Sequence, residues 1–153
     1  MIVNPQISEQ QQYPQQNLWV GIGCTLGISR QVIVAAIQYI FPENQLNQKA
    51  IAGIATIDTK ANQVGLWEFC CLYNLPLKTF SAKILSTVLV PNPAKIVEQA
   101  VGTPSVAEAA AILAATPQEN LEARLLVPKT IFRLQGQPGA VTVAVALQNI
   151  PDF

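Results

Sequence analysis

Histidine is absent from the 153 residues of this chain. Without it a Ser/His/Asp triad, a Cys/His dyad and any His-ligated metal are excluded within one chain. Acid–base chemistry has to come from Asp, Glu, Lys, Cys or Tyr. Charge is scarce too: charged residues make up 12%, and nine basic residues cancel nine acidic ones. No basic surplus points to nucleic acid or to an anionic membrane. The three cysteines, Cys24, Cys70 and Cys71, are odd in number and two are adjacent, which does not suggest a disulfide framework. Polar residues interrupt the apolar runs well short of a membrane-spanning length. The first residues lack the cationic start and apolar block of a secretory signal, so the cytoplasm is the expected location. Neither a metal site nor a cofactor is expected.

What remains is an apolar composition, with half the residues hydrophobic. That suits one domain with a substantial core. Residues 1–17 hold six glutamines and two prolines and read as a disordered tail, leaving residues 18–149 as the domain. Residues 18–22 read as a buried strand running into a glycine-rich turn over 21–27. Ser29 is placed to cap a helix in which Ile33, Ala36, Ile37, Ile40 and Phe41 recur at helical spacing. Residues 50–59 form a second strand. Asn62 then caps a helix reaching Tyr73, with Leu66, Trp67, Cys70, Cys71 and Tyr73 as its apolar surface. Short extended pieces follow at 77–80 and 88–90, with a helical turn capped by Ser81 between them. Asn92 and Pro93 open another helix, which Gly102 ends. Residues 123–134 and 140–147 flank a turn at 136–139 and predict an antiparallel hairpin, with Pro128 at an edge or bulge. The fold class expected is α/β: a single three-layer domain with a mostly parallel or mixed central sheet and helices on both faces. The strand order is not legible.

Three stretches carry candidate chemistry. In residues 101–111 (VGTPSVAEAAA), Thr103 and Pro104 make a turn, Ser105 is a natural N-cap, and Glu108 stands where it can close a capping box. The alanine-rich helix that follows is either a capped, buried helix or one whose N-terminus binds an anion. The glycine turn over 21–27 resembles the opening of a nucleotide-binding βαβ unit. Gly27 comes one residue late, however, and no acidic residue ends a second strand about twenty residues on. Anion binding and simple tight packing are both open for it. Lys60 stands at a strand end just before a helix, where open α/β sheets place their ligands, or is a solvated loop lysine.

Gly21, Gly23 and Cys24 after a strand, Thr56 to Lys60, residues 101–111, Val127 to Lys129 and Thr142 to Ala146 occur in an order that resembles the C-terminal domain of the cobalamin-biosynthesis CbiG family, found alone as CobE. The similarity runs over about residues 18–147, and residues 102–110 are its most specific text. It implies a role in making the corrin ring: opening of the δ-lactone of cobalt-precorrin-5A and release of a two-carbon fragment as acetaldehyde. Where relatives often carry an arginine after the Gly-Cys pair, Thr25 stands here.

The resemblance implies a corrin-ring intermediate as partner, with other corrin-pathway enzymes as further candidates. Such a ligand is an apolar macrocycle fringed with carboxylates, and holding it takes an apolar face and several anion-binding points. The candidates are Gly21, Gly23, Cys24, Thr25, Lys60, Thr103, Ser105 and Lys129. Lys60 is the candidate catalytic residue, ahead of Glu108, which is engaged as a cap, and Cys24, which has no histidine to activate it. Two alternatives stand beside lactone hydrolysis: a non-catalytic corrinoid-binding or assembly module, and a small nucleotide-binding regulatory domain.

Overall fold

The computed structural model describes residues 16–88, 105–116 and 123–148. Five strands form one mixed sheet in the order β3-β2-β1-β5-β4. They are β1 (Leu18–Cys24), β2 (Ile51–Ile57), β3 (Leu77–Phe80), β4 (Arg124–Phe132) and β5 (Val141–Leu147). β1, β2 and β3 run parallel. β5 lies antiparallel to β1 along all seven residues and forms the expected hairpin with β4. Helices α1 (Arg30–Glu43), α2 (Val64–Leu72), α3 (Ala82–Leu85) and α4 (Val106–Ala115) complete the described elements. The proposed tail over residues 1–15, the helix opened by Asn92 and Pro93, and most of the extended piece at 88–90 lie outside the described residues.

The two faces of the sheet differ in side-chain size, and this sorts the helices. Side chains alternate along a strand, so one face takes residues i, i+2 and i+4. Val20 and Ile22 of β1, Ile54 of β2 and Val141, Val143 and Val145 of β5 share a core with Val32, Ile33, Ala36, Ile37, Ile40 and Phe41 of α1 and Leu66 and Phe69 of α2. The opposite face of the central strands carries Gly21, Gly23, Ala55, Ala144 and Ala146. On that shallow floor lies α4, whose Ala109, Ala110, Ala111, Ala114 and Ala115 are buried. A Cβ added at Gly21 would stand 1.8 Å from the Ala107 carbonyl oxygen and 2.9 Å from the Ala111 nitrogen. The helix backbone therefore rests on the strand backbone, which only glycine permits.

Several sequence expectations change. The first strand runs on through Cys24, because β5 pairs with it from Leu18↔Leu147 to Cys24↔Val141. Gly21 and Gly23 are therefore strand residues, not turn residues. Ser29 is the N-cap of α1 by position, but its hydroxyl makes no capping bond and donates to Gln137 Oε1 at 3.3 Å. The N-cap of α2 is Gln63 rather than Asn62. The buried face of α2 is Gly65, Leu66, Phe69 and Cys70, while Trp67, Cys71 and Tyr73 are exposed. At about 100° per residue, positions 65, 66, 69 and 70 fall on one side and 67 and 71 on the other. Ser81 caps α3 as expected, accepting from the Ile84 N–H at 3.2 Å. Pro128 lies within a bulge: Val127 pairs with Val145 and Thr130 with Val143, so the edge strand carries one residue too many there.

Gly21→Ala tests the helix-on-strand contact. The added methyl has no space unless α4 lifts from the sheet, so a loss of about 1–3 kcal/mol or more is expected, read as a shifted urea midpoint. Gly27→Ala has the opposite cause: it has open space but a positive φ of 78°, so any loss there is backbone strain.

Candidate functional site

The C-terminal ends of β1 and β2 bring together Cys24, Thr25 and the 3-10 turn Asp58–Lys60. The N-terminus of α4 sits over the same end of β1, since a Cβ at Gly23 would stand 3.9 Å from Val106 Cβ. The positive charge of Lys60 acts on the Cys24 thiol. Burial nevertheless pushes that thiol up from its ordinary value, and Lys60 only partly opposes the shift. Cys24 is thus a protonated thiol at neutral pH, not an activated nucleophile. Cys70, in the core of α2, is pushed up to about 11, first by burial and then by Cys71 beside it.

The glycine segment does not present a nest of free N–H groups. Gly21 and Gly23 are paired in the sheet. The Thr25 N–H donates to the Ala140 carbonyl at 3.1 Å, and the Ile28 N–H donates to the Thr25 carbonyl at 3.2 Å. The Gly27 N–H donates to Gln63 Oε1 at 2.8 Å. The Thr25 hydroxyl donates to the Ala140 carbonyl and accepts from the Ala140 N–H. Thr25 therefore ties the loop to the start of β5, and Gln63 ties it to α2. The strand–glycine–helix opening does not fold as a phosphate loop.

At α4 the Ser105 hydroxyl accepts from the Glu108 N–H at 3.4 Å, as an N-cap does. Glu108 does more than close a cap. It is fully buried, and its Oε2 accepts from the Lys129 N–H at 2.9 Å. The bulge in β4 turns that N–H out of the ladder and toward the helix. Lys129 thus has its main-chain role beside α4. Its strand lies three places from β2, roughly 14 Å at ordinary strand spacing, and Lys129 falls between Val127, on the rung of Val20, and Thr130, on the rung of Ile22, so it stands at the middle of the edge strand and is not brought together with Lys60 at the strand ends. Thr103 lies outside the described residues. Two features of this region escaped the sequence. Thr56, fully buried, donates its hydroxyl to the Ile22 carbonyl at 2.6 Å. This holds β1 to β2 just beyond their last registered pair, Gly21↔Ala55. Arg30 lines a recess of about 380 Å³ with Ser29, Val64, Gly65 and Glu68. A hydroxyl inside an Ile/Ala strand was the available signal for Thr56, and a cation at the first position of the helix after the glycine turn was that for Arg30.

A wider cleft of about 610 Å³ lies at the other end of the sheet, between Gln16, Ile51 and Leu75, and holds none of the candidate residues. Position at the C-terminal strand ends is the better guide to a ligand site in a sheet of this kind. Among the described residues no group of His, Cys, Asp and Glu could hold a metal ion. No helix among them is long and apolar enough to cross a membrane.

Together these features define a three-layer α/β domain whose candidate ligand groups are side chains at the strand ends. The chain belongs to the family described as "Cobalamin synthesis G C-terminus", whose model matches residues 18–146. It is 30% identical over 135 residues to the cobalt-precorrin-5A hydrolase of Priestia megaterium, covering 88% of this chain and 33% of that protein. The chain thus spans about a third of the length of that relative. Among solved structures it resembles CobE, a protein from the cobalamin (vitamin B12) biosynthetic pathway, with a TM-score of 0.73 and 26% identity over 86% of this chain and 89% of the other. The cobalamin biosynthesis protein chiG of Agrobacterium tumefaciens matches with a TM-score of 0.61 and 30% identity, over 87% of this chain and 99% of that one.

Replacing Ser105 by Ala removes a cap and is expected to cost about 0.5–2 kcal/mol in chemical denaturation. Lys60→Met removes the charge that lowers the Cys24 pKa. The pH midpoint for alkylation of Cys24 by iodoacetamide, followed by mass spectrometry of its peptide, is then expected to move upward. An unmoved midpoint would place Lys60 out of reach of the thiol.

Proposed function

We propose that this domain binds a corrin-ring intermediate of cobalamin biosynthesis at the C-terminal ends of β1 and β2. Its role is in the step that opens the δ-lactone of cobalt-precorrin-5A. The observation that carries this reading is the family match along residues 18–146, joined to a lysine whose field reaches the end of β1. Lys60 pairs with a ring carboxylate or, in the lactone-opening step, with the oxyanion that forms when water adds to the lactone carbonyl. Ser105 borders the same end of the sheet, at the N-terminus of α4, while Lys129 reaches the ring only by the length of its side chain from the middle of the edge strand. Gly21, Gly23 and Thr25 support the site by packing and loop closure instead of touching the ligand. The partners are the corrin intermediate and other corrin-pathway enzymes.

A second reading has its own support. The Cys24 thiol is shifted away from reactivity. A binding or assembly module without its own turnover fits that.

Purified protein incubated with cobalt-precorrin-5A separates the two. Acetaldehyde release supports hydrolysis. Binding in a spectral titration without release supports the module. Lys60→Ala is expected to weaken binding roughly 10- to 100-fold, the size of one lost charge-assisted hydrogen bond of about 1.5–3 kcal/mol. No binding of any corrin intermediate would remove both readings.

A further inference from the structure

Lys60 is carried on a short turn, and the side chain of Gln63 fastens that turn to the neighbouring strand end. After β1 the chain reverses over residues 25–28. The Ile28 N–H donates to the Thr25 carbonyl at 3.2 Å, and Gly27, third in the reversal, has a φ of 78°. A type II turn has this form, and its closing bond does not use the N–H of the third residue. A main-chain donor needs an acceptor of its own. Gln63 Oε1 supplies it, accepting from the Gly27 N–H at 2.8 Å. The main chain of Gln63 is engaged as well. Its N–H donates to the Lys60 carbonyl at 3.1 Å, and its carbonyl accepts from the Trp67 N–H at 3.0 Å as the first bond of α2.

Three pieces of chain therefore meet at Gln63: the loop that leaves β1, the turn that leaves β2, and the start of α2. The loop is well anchored, because Thr25 is tied to Ala140 through its N–H and its hydroxyl. The Asp58–Lys60 turn buries none of its residues, so hydrogen bonds rather than packing fix where it stands. Its lysine nevertheless acts across to the Cys24 thiol on the adjacent strand. A lysine ammonium rides on a flexible four-carbon stem, so its reach is set by where its main chain is held. Resting on the reading of Lys60 as the cation that meets the ligand, we propose that Gln63 is the positioning residue of that lysine, holding the Lys60 turn beside the end of β1 through its bond to Gly27. A neutral amide suits the task. A carboxylate at position 63 would also accept from Gly27, but it would bring a second negative charge, after Asp58, to the segment that carries Lys60. Close packing at Gly65 is the competing constraint. A Cβ added there would run into the Ile28 carbonyl and stand 2.9 Å from the Arg30 nitrogen, so the start of α2 also rests directly on the loop backbone.

Gln63→Met keeps the length of the side chain and removes the acceptor. The pH midpoint for iodoacetamide alkylation of Cys24 reports on Lys60 with a telling sign. Loss of the lysine's field raises the midpoint, whereas a loop that only loosens admits water to the thiol and lowers it. The midpoint is read for the wild type, Gln63→Met, Lys60→Met and the double variant, with melting curves to check folding. An upward shift is expected for Gln63→Met, no larger than that of Lys60→Met, and no further shift from Gln63→Met once Lys60 is gone. Gln63→Ala is expected to behave in the same way and replaces Gln63→Met if that variant does not fold. A downward shift, or an equal shift with and without Lys60, assigns Gln63 to loop stability alone and overturns the proposal. An unmoved midpoint in Gln63→Met leaves the seating at Gly65 to place Lys60, and an unmoved midpoint in Lys60→Met puts the lysine away from β1; either overturns it. If the thiol shifts as expected while the wild type binds no cobalt-precorrin-5A in a spectral titration, the corrin reading falls and the positioning of Lys60 by Gln63 stands.

Discussion

The contact on which the rest of the molecule depends is the seating of α4 on Gly21. A helix that rests on side chains stands well away from a sheet. Here the Ala107 carbonyl occupies the space a Cβ would fill, so the helix axis comes down onto the central strand. Such close approach extends along the helix only if the neighbouring strands are also small on that face. Ala55 of β2 and Ala144 and Ala146 of β5 satisfy this. The alanines of α4 are the other half of the same constraint. With the helix so close, its N-terminus lies over the end of β1, and the height and direction of its capping residues are set by backbone, not by adaptable side chains.

That seating also explains the buried carboxylate. Glu108, at the first turn of α4, faces the edge strand with no access to water. A buried carboxyl group there needs hydrogen-bond partners. The helix N-terminus contributes favourable partial charge, and the bulged β4 contributes the Lys129 N–H. The bulge is therefore coupled to the helix. It widens the strand by one residue where the ladder must give up a donor. An edge strand can do this at small cost because its outer side has no partner strand.

Around the candidate site the backbone donors are mostly engaged in holding loops together. Thr25 closes on Ala140, Gly27 on Gln63, and Thr56 clamps the Ile22 carbonyl. A ligand at these strand ends meets side chains rather than an amide nest. The charged groups there are the Lys60 ammonium, in one turn with Asp58, and the Arg30 guanidinium, in one recess with Glu68. The raised Cys24 pKa disfavours nucleophilic attack by that thiol.

The amino-acid sequence by itself determined the element types and the family. The alternation of Ile and Val, the helical spacing of Ile33 to Phe41, the Ser105 cap and the turn before β5 are local signals. A local signal survives folding when the same few residues that emit it also make the contact. The ordered motifs around Lys60 and residues 102–110 were legible for the same reason. The tertiary structure alone decided the strand order, the extension of β1 through Cys24, and the assignment of Gly21 to packing instead of anion binding. It also decided the outward turn of Trp67 and Cys71 and the reach of Glu108 to β4. Each of these depends on a partner far away in the chain: β5 for the glycines, residues 27–30 for α2, and a bulge 21 residues on for Glu108. An isolated glycine does not say whether its missing Cβ makes room for a turn, a ligand or a helix. Only the arrival of α4 settles which.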